Sequence, residues 1–297
     1  MNLRDRLTIV FDRSFKYWAL IPLLIFVVVL TVYPVGQVVR MAFSSLTLAE
    51  GRYIWEFSGL NNFYKMLSDE VFHKAVRNTI VFVIVVVAVE FFLGLFLALV
   101  TTKVSRYVGV YRTILMLPIL MPPIAIGTMW RLMLNPQFGL FNQIAFSLGL
   151  KGQDWLSDPL YALLAIMVVD VWQWTPYVFI ILLAGLQSIP KEPHEAAIVD
   201  GATGFQVFRY ITWPLLFPTA VVALMFRTIN SLKVFDKVIV LTGGGPGDAT
   251  EVISTHIYKV FFEFQKMDLG SFLALITMLI AVGFVIGYRL LLRWGRS

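Results

Sequence analysis

The sequence predicts an all-α membrane protein of six transmembrane helices, and three observations predict it. Hydrophobic residues make up 59% of the chain and charged residues 14%, with a mean hydropathy of +0.80. Too little polar side chain remains to cover a water-soluble surface. Apolar runs recur at the length of about 20 residues that a helix needs to cross hydrocarbon. Arginine and lysine gather in alternate short connections, as they do on the cytoplasmic side of membrane proteins.

The first run, Tyr17–Val39, is too long for a signal-peptide core and lacks a small-x-small cleavage site, so it reads as a retained anchor. Pro22 and Pro34 inside it are tolerated because neighbouring helices re-satisfy freed backbone groups. The remaining runs are Thr79–Val100, Tyr111–Leu134, Leu160–Ala184, Trp213–Leu232 and Ser271–Leu292. An even number of crossings puts both ends on one side. Arg4, Arg6, Arg13 and Lys16 precede the first run, Lys103, Arg106 and Arg112 fill the next short loop on that side, and Arg289, Arg293 and Arg296 close the chain. Both termini are therefore expected in the cytoplasm, although Arg52, Lys65 and Lys74 on the opposite side, interleaved with Glu50, Glu56, Asp69 and Glu70, weaken the bias. Residues 1–16 read as a cytoplasmic segment and 17–297 as a membrane domain with a cytoplasmic loop at about 188–214.

That loop is amphiphilic. Pro190 suits the first turn of a helix, Glu192 and Glu195 lie near its positive end, and Gly201 fits a left-handed cap. Thr203 and Gln206 then have capping-box spacing, which starts a second helix at about Gly204, running toward Pro214. A connector between membrane helices and a docking element share this pattern. The residues Glu195-Ala196-Ala197, Gly201, Ile211 and Pro214 resemble the "EAA" loop of bacterial ATP-binding-cassette (ABC) importer permeases, E-A-A-x3-G-x9-I-x-L-P. Ala184–Pro190, Asp200-Gly201-Ala202, Thr242-Gly243-Gly244-Gly245-Pro246 and Gly59–Phe63 are similar to the carbohydrate-importing, maltose-type branch. Trp213 departs from the usual Leu, and Pro193-His194 from the usual Leu-Tyr.

The resemblance implies a type I ABC importer transmembrane domain in a bacterial inner membrane. It implies a second homologous permease, two ATPase subunits that bind ATP and magnesium, and an extracytoplasmic binding protein that delivers a sugar or sugar-like solute. Glu195, Ala196, Ala197, Asp200 and Gly201 would couple to the ATPase. This chain itself has no cofactor in that scheme. Its glycine-rich Thr242–Gly247 lacks the following Lys-Ser or Lys-Thr of a phosphate-cradling loop and reads as a turn outside the membrane; no G-x-S-x-G or H-E-x-x-H occurs. Cysteine is absent, which excludes thiolate metal sites, and His73, His194 and His256 are far apart. No basic face interleaved with aromatics suggests nucleic acid.

Polar residues within the runs point to a cavity or to interhelical contacts, since charge at membrane depth costs several kcal/mol. Asp170, Gln173, Trp174 and Tyr177 share one helical face at i, i+3, i+4 and i+7, and Arg227, Asn230, Ser231 and Val234 form a second stripe. Aromatic faces beside hydrogen-bonding groups suit a sugar. In the resembled permeases these parts of the two helices line the sugar cavity, which carries substrate binding to Asp170, Gln173, Trp174, Tyr177, Arg227, Asn230 and Ser231. An Asp170–Arg227 pair is expected; Lys233 and Asp236 read as solvated or paired, and Glu90 has no single reading. A proton-coupled carrier using Asp170, Glu90 or Arg227 is the alternative, against which stands the lack of self-similarity between the two halves. An intramembrane enzyme has no visible catalytic set.

Overall fold

The computed structural model describes residues 15, 18–49, 52–103 and 108–294. Arg4, Arg6, Arg13, Lys16, Glu50, Arg106 and Arg296, all used in the orientation argument, lie outside the described residues. The chain forms two compact units, one of residues up to 66 with 260–276, the other of residues 67–259 with those from 277 onward.

In the first unit, the first apolar run folds as one helix, α1 (Trp18–Ala42). Its side chains from Trp18 to Gly36 are exposed, leaving an apolar surface of the kind lipid or another helix covers. A π turn at Val28–Val32, closed by the Tyr33 N–H on the Val28 carbonyl, immediately precedes Pro34. Widening the helix there relieves the clash that proline makes with the preceding turn. An antiparallel hairpin follows, β1 (Ser44–Ala49) and β2 (Arg52–Phe57), with Ser44 opposite Phe57. Arg40 stacks over Trp55 at 4.7 Å. In α2 (Asn61–Leu67) the buried Asn62 amide donates to the carbonyls of Ala42 and Ser44 at 2.9 and 3.1 Å, satisfying groups that the end of α1 leaves free.

The second unit holds α3 (Glu70–Lys103), α4 (Val108–Leu120), α5 (Pro123–Met133), α6 (Leu140–Ser147) and α7 (Pro159–Gln187). Then come α8 (Glu192–Val199), α9 (Gly204–Leu232), α10 (Asp236–Leu241) and α11 (Ile253–Tyr258), while α12 (Met267–Trp294) contributes to both units. Five helices, α1, α3, α7, α9 and α12, are long and apolar enough to cross a membrane.

The third expected run, Tyr111–Leu134, is not one straight helix. It is α4 and α5, bent by 92° at Met121–Pro122. Pro122 and Pro123 disfavour helical conformation in the residues before them and remove two donors, so the chain breaks there and restarts with Pro123 in the first turn. Counting that bent pair as one span, the described residues hold up to six. The second helix of the amphiphilic loop also differs from expectation. It begins at Gly204, as its capping box predicts, but runs unbroken through Pro214 into the fifth span. A second π turn, Phe208–Thr212, precedes that proline as the first precedes Pro34.

Two apolar clusters form the core of this unit. Phe82, Val86, Ile126, Ile166 and Val169 belong to one, and Phe91, Ala98, Val178, Phe179, Leu182 and Leu216 to the other. Along α3 and α7 the boundary between them falls at Glu90 and Asp170. Close contact of these two helices depends on Gly94, where a Cβ would lie 2.9 Å from Val178 Cγ1 and 3.0 Å from the Phe179 nitrogen. Gly94→Val is therefore expected to separate α3 from α7 at a cost of about 1–3 kcal/mol. A lower melting temperature of the purified protein checks it, and an unchanged one counts against the contact.

Candidate functional site

Four helices each bring one ionisable side chain to the boundary between the apolar clusters. Glu90 comes from α3, Asp170 from α7, Arg227 from α9 and Lys237 from α10, and none is more than 4% exposed. Arg227 donates Nε to Glu90 Oε2, and its Nη2 to Glu90 Oε1 at 2.9 Å and to Asp170 Oδ2. Lys237 donates to Asp170 Oδ1. Two carboxylates and two cations thus cancel. Buried charge persists in an apolar interior only when paired and hydrogen-bonded in this way. The helical spacing of the sequence delivers Asp170 and Arg227 to facing positions; the break after α9 turns Lys237 back toward Asp170.

A cavity of about 170 Å³ opens beside the cluster, lined by Pro123, Asp170, Trp174, Arg227, Asn230, Lys233, Val234, Phe235, Asp236 and Lys237. Trp174 has Arg227 at 5.2 Å and Lys237 at 5.8 Å from its ring centroid, and Tyr177 meets it edge-on at 5.9 Å. Such cation–ring contacts hold the indole in place. The expected site residues separate. Asp170, Trp174, Arg227 and Asn230 line the cavity, and Tyr177 supports Trp174 from behind. Gln173 is buried with Nε2 3.4 Å from the Met121 carbonyl, where it steadies the bend between α4 and α5. Ser231 is buried and donates back to the Arg227 carbonyl at 2.9 Å, within its own helix. Glu90 gains a definite role as the second carboxylate on Arg227. Lys237 is the residue that sequence reasoning missed. Its signal was a third charge one residue beyond Asp236, leading into an apolar stretch.

A second feature lies in the amphiphilic loop. The first helix starts at Glu192 rather than at Pro190, and Pro193 occupies its first turn. Gly201 has φ +78, and the Ala202 N–H closes on the Ala197 carbonyl at 2.9 Å, so the left-handed cap has formed. Thr203 and Gln206 exchange both bonds of the capping box. Glu195, Ala196, Asp200 and Gly201 are exposed, with Ala197 half-buried. Ile198, Val199, Phe205 and Tyr210 also present apolar area to solvent, between 66% and 86% exposed, a surface that a partner would bury. A groove of about 740 Å³ runs beneath α8, lined in part by Leu99 and Thr102 of α3 and by Phe208 of α9. His194, at one of the two departures from the EAA pattern, lies 3.0 Å from Thr212 Oγ1 and ties α8 to α9.

The glycine-rich turn is a packed structure rather than a loose one. A Cβ on Gly244, at φ +90, would lie 1.8 Å from Glu251 Oε2, so only glycine fits. Glu251 is fully buried and receives Lys259 at 2.6 Å. Asn78 of α3 donates to the Ala249 and Glu251 carbonyls at 3.0 and 2.9 Å. Among the described residues no group of three His, Asp or Glu side chains is placed to hold a metal.

Residues 90–293 match the family model described as "Binding-protein-dependent transport system inner membrane component". The chain is 38% identical over 287 residues to the trehalose/maltose transport system permease protein MalF of Thermococcus litoralis, covering 96% of each. Its fold is similar to that of a bacterial ABC transporter involved in the import of the acidic polysaccharide alginate, with TM-score 0.83, 26% identity, and 97% and 98% of the two chains covered. A bacterial alginate ABC transporter in complex with alginate pentasaccharide-bound periplasmic protein matches with TM-score 0.82 and 26% identity, covering 95% and 96%.

Proposed function

Because this chain belongs to the family of binding-protein-dependent transport system inner membrane components, and so is a translocation subunit of an ABC importer rather than an enzyme, we propose that it moves a sugar or sugar-like solute. The observation that carries this reading is the cavity beside Trp174, where an indole face adjoins the Asn230 amide and the Asp170 carboxylate. Rings stack on the C–H faces of sugars, and the polar groups bond hydroxyls. Its volume of about 170 Å³ is below the roughly 300–1,000 Å³ of ordinary ligand sites. That supports a path completed by a second permease, with Asp170, Trp174, Arg227 and Asn230 as this chain's share and Gln173, Tyr177 and Ser231 as its supports.

The exposed α8, with Glu195, Ala196, Ala197, Asp200 and Gly201, is the coupling element in this reading. It would dock on one of two ATPase subunits that hold ATP and magnesium, with both termini of this chain on the same cytoplasmic face. Closure of the ATPase pair would push α8. Because α9 is continuous from the capping box at Gly204 to Leu232, motion at the loop would reach Arg227 along one helix. An extracytoplasmic binding protein would deliver the solute on the opposite side.

The test is affinity purification of the chain expressed with its neighbouring genes, followed by ATPase measurement in lipid. An ATPase should copurify, with turnover rising only when binding protein and sugar are both present. A chain that purifies alone and moves solute down a proton gradient would establish the carrier alternative.

A further inference from the structure

We propose that the solute is an uncharged polyhydroxy compound and not an anionic one, an assignment that rests on the sugar-importer reading above. Five charged side chains line the cavity, Asp170, Asp236, Arg227, Lys233 and Lys237, and Glu90 stands on the far side of the Arg227 guanidinium. Three carboxylates therefore answer three cations. Arg227 is the natural receptor for a carboxylate, sulfonate or phosphate, since its planar fork matches their oxygens. Here the Nε/Nη2 face of that fork is taken. Nε and Nη2 clasp both oxygens of Glu90, and Nη2 also serves Asp170. The Lys237 ammonium is held by the other Asp170 oxygen.

Bidentate capture of an anionic solute would have to pull Arg227 Nε or Nη2 off these carboxylates, because Nη1 is the one guanidinium nitrogen that neither Glu90 nor Asp170 engages. Doing so strands Glu90 or Asp170 in a buried setting without a counter-charge, the costly half of breaking a buried pair. Lys233 is exposed and shares the cavity wall with Asp236, so the rim offers no net positive charge either. A neutral solute leaves the pairs intact. It needs only hydroxyl partners, which Asn230 and the carboxylate oxygens provide, and an apolar face against the half-buried Trp174. The similar transporters do not decide this point, because trehalose and maltose are neutral and alginate is acidic; the charge balance around Arg227 does.

The test uses the complete importer in liposomes, this chain with its coexpressed companion permease, ATPase and binding protein. ATP-driven uptake is measured with labelled neutral probes (maltose, trehalose and sorbitol) and labelled anionic probes (glycerol 3-phosphate and a mannuronate trisaccharide). Uptake should be confined to neutral probes, with anionic ones slower by at least about tenfold, and an excess of either anionic probe should not slow neutral uptake. In the Glu90→Gln/Asp170→Asn variant the two cations lose their counter-charges, and the anionic probes should then inhibit. Uptake of an anionic probe at the neutral rate, or inhibition of the unaltered importer by one, overturns the proposal. The competition measurement needs no variant, so a variant that fails to assemble does not remove the test. Uptake of an amino acid in place of every sugar would overturn the sugar reading itself, and this assignment with it.

Discussion

Replacing Arg227 by methionine is expected to destabilise the protein by about 3–5 kcal/mol. The reason is what remains behind. Glu90 has Arg227 as its ionic partner among the described residues, so the substitution leaves a carboxylate buried between two apolar clusters with nothing to balance it. Asp170 keeps Lys237. The structure therefore makes a directional prediction about rescue. Adding Glu90→Gln to Arg227→Met removes the stranded charge and should restore much of the melting temperature and of the membrane-inserted yield. Adding Asp170→Asn instead strands Glu90 and Lys237 together and should restore nothing. Thermal unfolding of the purified proteins reads both; equal behaviour of the two double variants, or simple additivity of the single losses, would show that the four groups do not act as one cluster.

Gly201→Asp is expected to leave the protein folded and to uncouple it from the ATPase subunits. Gly201 has φ +78, and a Cβ there meets nothing within 4 Å. The penalty is thus limited to backbone strain of about 1–2 kcal/mol, partly relieved because aspartate is among the residues that tolerate this conformation. The added carboxylate follows Asp200 at the exposed C-terminal end of α8. If α8 docks on the ATPase, uptake should fall by at least about tenfold, corresponding to roughly 1.4 kcal/mol of lost coupling, while insertion is unchanged. Normal ATP-driven uptake in this variant would refute the coupling role of the loop.

Both predictions begin in features that short stretches of sequence encode. The capping box at Thr203 and Gln206, the left-handed cap at Gly201 and the polar faces carrying Asp170 and Arg227 all depend on residues within a turn or two of each other. Local backbone geometry follows from such neighbours, and so does the membrane class, which depends on composition and on run length. The hairpin at Ser44–Phe57 is invisible to a search for apolar runs because its strands are short and lie in a polar stretch. The third span was legible as a run, but its 92° bend was not. Hydropathy counted Tyr111–Leu134 as one run, whereas Pro122 and Pro123, which hydropathy ignores, divided it.

The functional residues divide along the same line. By itself the sequence determined that the chain is helical and membrane-embedded, that it carries an exposed helix-turn-helix of the EAA type, and that charged groups occupy its interior. The Asp170–Arg227 pair expected from the two polar faces forms, and only the tertiary structure decided that Glu90 and Lys237 join it. The four groups come from four helices, with sequence separations of 57 to 137 residues in the bonded pairs, so periodicity points to the two polar faces but not to the full set of partners. The same assembly moved Gln173 and Ser231 from the expected cavity into backbone contacts, since a position on a polar helix face gives direction but not neighbour. Electrostatics in a low-dielectric interior depends on those neighbours at a few ångströms, and that distance is set by helix packing, not by the chain's local code.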